Sequence, residues 1–310
     1  MGRTMIAALL QRFGFRPSPE DSGVPAGRQN AEPEAENVAQ MRGYAELCRA
    51  AGVDRLYLLL TFDCDTDEDI AAAEALETDL RRRGIRSGYA VPGVQLENGA
   101  ATWRRLAESG AEFLNHGYRP HAEWRDGRYQ SATFYADMER DEVAGDIAAG
   151  HEAVIAATGV VPEGFRAPHF GCFQAPEQLQ FLYGQLKPLG YRYASTTIPA
   201  MALSRGPVVD MDEFVELPTM GSYRYPPTIL DSWTYLTDRT NYALGEIYWE
   251  LFSETVERML AEEMPGILTY YCDPSHVAGQ AAFEKAIDLV AKRNLPSLQG
   301  REAVRRFRAL

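Results

Sequence analysis

The sequence predicts an α/β protein with a mostly parallel sheet, either open or closed into a barrel. Three observations point there. Short apolar runs of strand length alternate with longer helix-like runs from residue 38 to the end, the rhythm of βα units. The 310 residues, 45% of them hydrophobic, can build one large α/β domain or two small ones. No repeat of solenoid or propeller period interrupts the alternation.

The elements follow in order. Residues Pro17 to Gln40 mix Pro, Gly, Glu, Asn and Ser with few large apolar side chains. Residues 1–39 are therefore expected to be a flexible amino-terminal segment, and 40–310 the folded domain. The first helix is expected over 38–51. The run 55–63, with five consecutive apolar residues from Leu56 to Leu60, reads as a buried strand. A helix over 68–83, a strand over 86–91, a helix over 100–109 and a strand over 111–115 continue the alternation. A long helix over 136–158 leads to a short strand over 163–166 and a helix over 176–188. Strands over 191–195 and 214–217 come next. A helix over 244–263, a strand over 266–271 and a helix over 281–293 follow. A short strand over 295–297 and a helix from Arg301 close the chain.

Charge and composition exclude several function classes. Thirty-one basic against 44 acidic side chains leave a net charge of −13, which counts against a nucleic-acid binder because phosphate contacts need a basic stripe. No apolar run approaches the roughly 18 residues that span a bilayer. Met5 to Leu10 is shorter than a signal-peptide core, and Gln11-Arg12 stands where small cleavage-site residues would be, so a cytoplasmic location is expected. Met5, Ile6, Leu9, Leu10 and Phe13 share one helical face near Arg3, Arg12 and Arg16, enough for at most a weak membrane-surface contact. The four widely spaced cysteines are expected to be reduced and mostly buried. No Gly-rich phosphate loop of either common type occurs, so nucleotide-dependent chemistry is not expected.

Five segments carry the chemistry. In Thr61-Phe62-Asp63-Cys64-Asp65, an apolar strand delivers acids to its carboxyl end. Alternation turns Asp63 and Asp65 one way and Cys64 the other. Carboxylates this close repel unless a cation or a shared proton intervenes. Asp67 is expected to cap the next helix. The second segment, Asn115-His116-Gly117-Tyr118-Arg119-Pro120-His121, holds two of the five histidines, and with nearby acids they suit Zn2+ or another first-row divalent ion. The others are Arg166-Ala167-Pro168-His169, Asp231-Ser232-Trp233, and Asp273-Pro274-Ser275-His276. His151, inside a helix, reads as solvated or structural. Tyr118, Trp124, Tyr223, Tyr225 and Trp233 suit either stacking on sugar rings or loop packing.

Taken in this order, the segments resemble the motifs of the polysaccharide deacetylases, the NodB-homology domain of carbohydrate esterase family four, over about residues 55–300. The first segment resembles the D-x-D form of that family's opening motif. The resemblance implies a distorted (β/α) barrel of about seven strands. It also implies metal-dependent hydrolysis of the N-acetyl or N-formyl amide of an amino sugar. Asp63 would be the catalytic base, and Asp65, His116 and His121 would hold one divalent ion, zinc first and other first-row ions next. Arg166, in the Arg-x-Pro motif with Pro168, would orient the base. Asp231 and Trp233 would line the pocket and support the acid, and His276 would be that acid. Tyr118 and His169 complete the expected substrate-binding set. The partner implied is an N-acylated amino sugar, free, nucleotide-linked or lipid-linked, used in surface-glycan or glycosylated-metabolite assembly. Two departures stand out: one extra residue lies between His116 and His121, and Asp273 replaces the first histidine of a His-Pro-x-His ending. They motivate the alternative, a catalytically weakened carbohydrate-binding homologue.

Overall fold

The computed structural model describes residues 33–212 and 214–308. The amphipathic face at Met5 to Phe13 and nearly all of the segment expected to be flexible lie outside the described residues. Helix α1 (Ala35–Ala50) begins inside that segment, and the Asn37 amide donates to the Arg224 carbonyl at 2.8 Å. Strand β1 (Leu56–Asp63) and helix α2 (Asp67–Arg82) follow, then β2 (Ser87–Val91), α3 (Gly93–Asn98), α4 (Ala100–Glu108) and β3 (Glu112–Asn115). A hairpin of β4 (Ala122–Arg125) and β5 (Arg128–Ser131) leads to α5 (Arg140–Thr158). Next come β6 (Gly164–Phe165), α6 (Pro176–Leu186), β7 (Tyr193–Ala194), α7 (Pro199–Arg205), β8 (Val209–Asp210) and β9 (Val215–Glu216). A second hairpin, β10 (Leu236–Asp238) and β11 (Ala243–Leu244), precedes α8 (Glu246–Ala261) and β12 (Gly266–Cys272). Helices α9 (Pro274–Val277), α10 (Ala281–Lys292) and α11 (Gly300–Phe307) complete the fold.

Eight strands form one curled sheet in the order β12-β1-β2-β3-β6-β7-β9-β8, parallel throughout except for β8 on β9. Strand β1 is buried along its whole length, which is why its sequence is a continuous apolar run rather than an alternation. Beyond β9 the chain crosses the remaining gap. Leu217 N donates to Ala194, Thr219 N to Thr197 and Met220 N to Thr269 of β12, at 2.8–3.0 Å. The sheet thus closes as the distorted barrel expected. Parallel strands place all their carboxyl ends on one rim, and that rim carries Asp63, His116, Arg166, Ser195 and Asp273.

Several local expectations change. The segment at 295–297 makes only a single bridge, Ser297 to Leu58, beside β1. The helix expected from 136 starts at Arg140, after a separate 3-10 turn at Tyr135–Asp137. Thr66, not Asp67, caps α2: its hydroxyl accepts from Asp69 N while the Asp69 carboxylate accepts from Thr66 N. Cys48, Cys64 and Cys272 are buried, Cys172 is half-buried and none is paired. No helix among the described residues is long and apolar enough to cross a membrane.

Candidate functional site

The site is assembled at the rim from loops that follow the strands. Asp63, the last residue of β1, is 6% exposed and faces the fully buried Arg166 at 2.5 Å. Arg166 is itself fixed: its Nε and Nη2 donate to the Ser195 carbonyl and hydroxyl, both at 3.0 Å. Its guanidinium also lies over the rings of Phe170 and Tyr271, at 5.0 and 5.6 Å. Burial pushes the Asp63 carboxyl up to about 6, against the pull of the guanidinium. The result is an acid held in place by a cation that cannot leave.

Asp65, His116 and His121 meet beside it, with one potential ligand atom from each within 4.8 Å of the others. His116 Nδ1 lies 2.8 Å from the Arg166 carbonyl, an acceptor, so Nδ1 carries the proton. Its Nε2 lone pair then faces Asp65 at 3.7 Å and Asp63 at 3.9 Å. Burial lowers the His116 pKa well below the usual imidazole range, which keeps that lone pair free. His121 is 1% exposed, yet neither ring nitrogen has a hydrogen-bond partner among the described residues. Asp65 Oδ1, 3.3 Å from His121 Nδ1, is likewise unpartnered. An orphaned buried polar atom costs about 1–3 kcal/mol. Asp65 Oδ1 and whichever His121 nitrogen carries the lone pair, beside the free His116 lone pair, are the surroundings a cation satisfies; the other His121 nitrogen remains an N–H. Two imidazoles and a carboxylate suit zinc and its first-row neighbours. The residues fit a divalent ion.

The extra residue between the histidines is taken up locally. Asn115 donates to Ile147 O and accepts from Gly117 N, and Gly117 turns with φ +76°. Asp146 of α5 accepts from Arg119 N at 2.9 Å and from the Tyr135 hydroxyl at 2.7 Å. Ala132, just past β5, donates its N–H to the His121 carbonyl at 2.7 Å. The hairpin thus anchors the His121 backbone.

His276, 3% exposed, sits on α9 across the rim. Its Nδ1 lies 3.0 Å from Asp273 Oδ2 and 3.2 Å from Ser232 Oγ, and Ser232 Oγ accepts from Asp273 N at 3.0 Å. Burial lowers the His276 pKa to about 3. Burial, followed by the carboxylates of Asp69, Asp65 and Asp63, raises that of Asp273 well above its usual range. Tyr242 covers the imidazole with ring centroids 4.4 Å apart, and Trp233 stands at 5.8 Å.

Other expected residues divide. Asp231 accepts from Thr234 N and Oγ1 and from the Tyr271 hydroxyl. Among the described contacts, Ser232 and Asp273, rather than Asp231, touch His276. His169, at φ +54°, bonds the Ala132 carbonyl at 2.7 Å, stacks on Phe134 and lies 5.9 Å from the His121 ring. Pro168 is buried in the turn between Arg166 and His169. Tyr118 gives its hydroxyl to Glu97 and lays its ring over Gly93, where a Cβ would come within 2.2 Å, so it packs α3. Tyr223 is fully buried against Glu262, and His151 bonds the Tyr191 hydroxyl; both are structural. Ser195, Tyr242 and Tyr271 carry no motif signal, and Ser232 lies inside the Asp231-Ser232-Trp233 segment, which by itself assigns it no role. Asp69 carries a signal, the Thr66-x-x-Asp69 spacing of a capping box.

No family model matches the chain, and no curated protein matches it. Solved structures do. A Mycobacterium smegmatis protein described as a polysaccharide deacetylase superposes with a TM-score of 0.57 at 18% identity, covering 81% of this chain and 89% of its own. A family 4 carbohydrate esterase from Streptomyces lividans, solved with acetate, superposes at 0.50 with 14% identity, covering 82% and 96%.

Proposed function

We propose that this chain, which has the fold of the polysaccharide deacetylases, is a metal-dependent hydrolase of the N-acetyl or N-formyl amide of an amino sugar. One observation carries the reading: the unpartnered atoms of Asp65 and His121 and the free Nε2 of His116 converge beside a buried carboxylate clamped by Arg166. Asp65, His116 and His121 would hold the ion, which when bound supplies Lewis-acid polarisation of the amide carbonyl and a lower pKa for water. Asp63 accepts the proton of the attacking water, and Arg166 keeps its carboxylate oriented for that transfer. His276, whose Nδ1 faces the Asp273 carboxyl and Ser232, presents Nε2–H to the departing nitrogen and gives it that proton while Asp273, its carboxyl pKa raised by burial, passes one to Nδ1. Trp233 and Tyr242 offer ring faces beside His276 to the sugar. Zinc is the ion this donor set favours. A free, nucleotide-linked or lipid-linked amino sugar is the substrate class.

The base and the ligand should fail differently. Asp63→Asn keeps the shape but cannot take the proton, so metal stays and amine release falls roughly 10²–10⁴-fold. Asp65→Asn weakens metal binding, and excess metal restores part of its activity. The assay is primary-amine release from N-acetyl and N-formyl amino sugars. Full activity in Asp63→Asn would remove the base assignment. A metal-loaded wild type inert across the panel yet binding the sugars would leave the carbohydrate-binding homologue.

A further inference from the structure

Asp69 belongs to none of the five motif segments, yet its side chain is 1% exposed and its carboxylate ties two of them together. Oδ2 accepts from Asp65 N at 3.1 Å, from Thr66 N at 2.9 Å and from the Thr66 hydroxyl at 2.7 Å. Oδ1 accepts from Ser275 N at 2.9 Å, 206 residues further along the chain. A capping box needs only the bond to Thr66 N. The bonds to Asp65 N and Ser275 N exceed that role. The first fixes the backbone that carries the candidate metal ligand Asp65. The second fixes α9 one residue before His276. Every donor is an N–H or a hydroxyl, so a charged carboxylate satisfies the set and an amide does not, because its NH2 would face donors.

We propose that Asp69 is a positioning residue that sets the separation between the metal-ligand loop after β1 and the His276 turn after β12. This rests on the function proposed above, in which those two loops work on opposite sides of the same amide. Groups that orient a ligand from behind typically matter 10–100-fold in metal affinity or activity. Asp69 would do so on both sides at once.

The test uses the full chain with Asp69→Asn, and with Asp69→Glu as a second variant that keeps the charge but moves both oxygens. Folding is checked by circular dichroism and thermal melting. Zn2+ affinity is read by competition with a chromophoric chelator. Amine release is measured at saturating Zn2+. The His276 ring is followed in histidine-labelled protein by NMR, its signal identified by its absence in His276→Gln. The expected result is a folded Asp69→Asn with Zn2+ affinity down roughly 10–100-fold, a displaced His276 signal, and a kcat still depressed at saturating Zn2+ with KM little changed. In the His276→Gln background, Asp69→Asn should then add little further loss of kcat. A folded variant with unchanged Zn2+ affinity and an unmoved His276 signal overturns the proposal. So does a loss that Zn2+ fully restores, which would confine Asp69 to the metal side. If wild type releases no amine while affinity and signal both move, the proposed function fails and the positioning role of Asp69 stands.

Discussion

Asp63 and Asp65 sit two positions apart at the end of one strand and have opposite company. Asp63 faces a guanidinium, while Asp65 faces two imidazoles whose nitrogens have room for a cation. The same division of labour extends to Asp231, which sits buried among neutral donors with a carboxyl that burial raises to about 6. The sign is definite. Between about 4 and 6, the folded chain holds this proton and the unfolded chain does not, so stability falls as pH rises through that window and is level outside it. Roughly two units correspond to about 3 kcal/mol. Urea unfolding of the metal-free protein at pH 4 to 7 should therefore show Asp231→Asn gaining about that much on wild type as pH rises. A constant gap would contradict the assignment.

At the scale of elements, the loop between β3 and β4 decides whether two histidines five positions apart can share one ion. Gly117 lets that loop turn as it does. A Cβ there would meet Asp146 Oδ2 at 2.3 Å and the Tyr135 hydroxyl at 2.7 Å, in a backbone conformation that L side chains rarely adopt. Gly117→Ala should cost about 1–3 kcal/mol in urea unfolding and lower Zn2+ affinity, because His116 precedes it directly. Unchanged stability and affinity would show that the loop tolerates rearrangement. The major strands and helices were legible because burial on both faces makes β1 continuously apolar and because βα spacing is regular. Residue type suggested a cation near His116 and His121, and the family resemblance singled out Asp65, His116 and His121, whose ligand atoms the fold brings within 4.8 Å of one another. The two hairpins were not, since β4 and β5 are short and largely exposed and carry no strong alternation. The partner of His276 was not either. Whether Asp231 or Asp273 reaches an imidazole depends on how the turn after β12 folds against Ser232, a contact between residues about 40 apart. Thr66 displaced Asp67 as the cap because its hydroxyl and the Asp69 carboxylate satisfy each other reciprocally.

Over the whole molecule, parallel strands bring every carboxyl end to one rim, and closure through residues 217–220 brings the loops after β1 and β12 within reach of those after β3 and β6. Residues as distant in sequence as Asp65 and His276 become neighbours by topology rather than by any local signal. The account turns on Asp65, His116 and His121 binding one divalent ion. Elemental analysis of purified wild type beside Asp65→Ala, His116→Ala and His121→Ala, with folding verified for each, tests this most directly. The account predicts about one equivalent of metal in wild type and a loss in each variant. Equal metal content in all four folded proteins would contradict it.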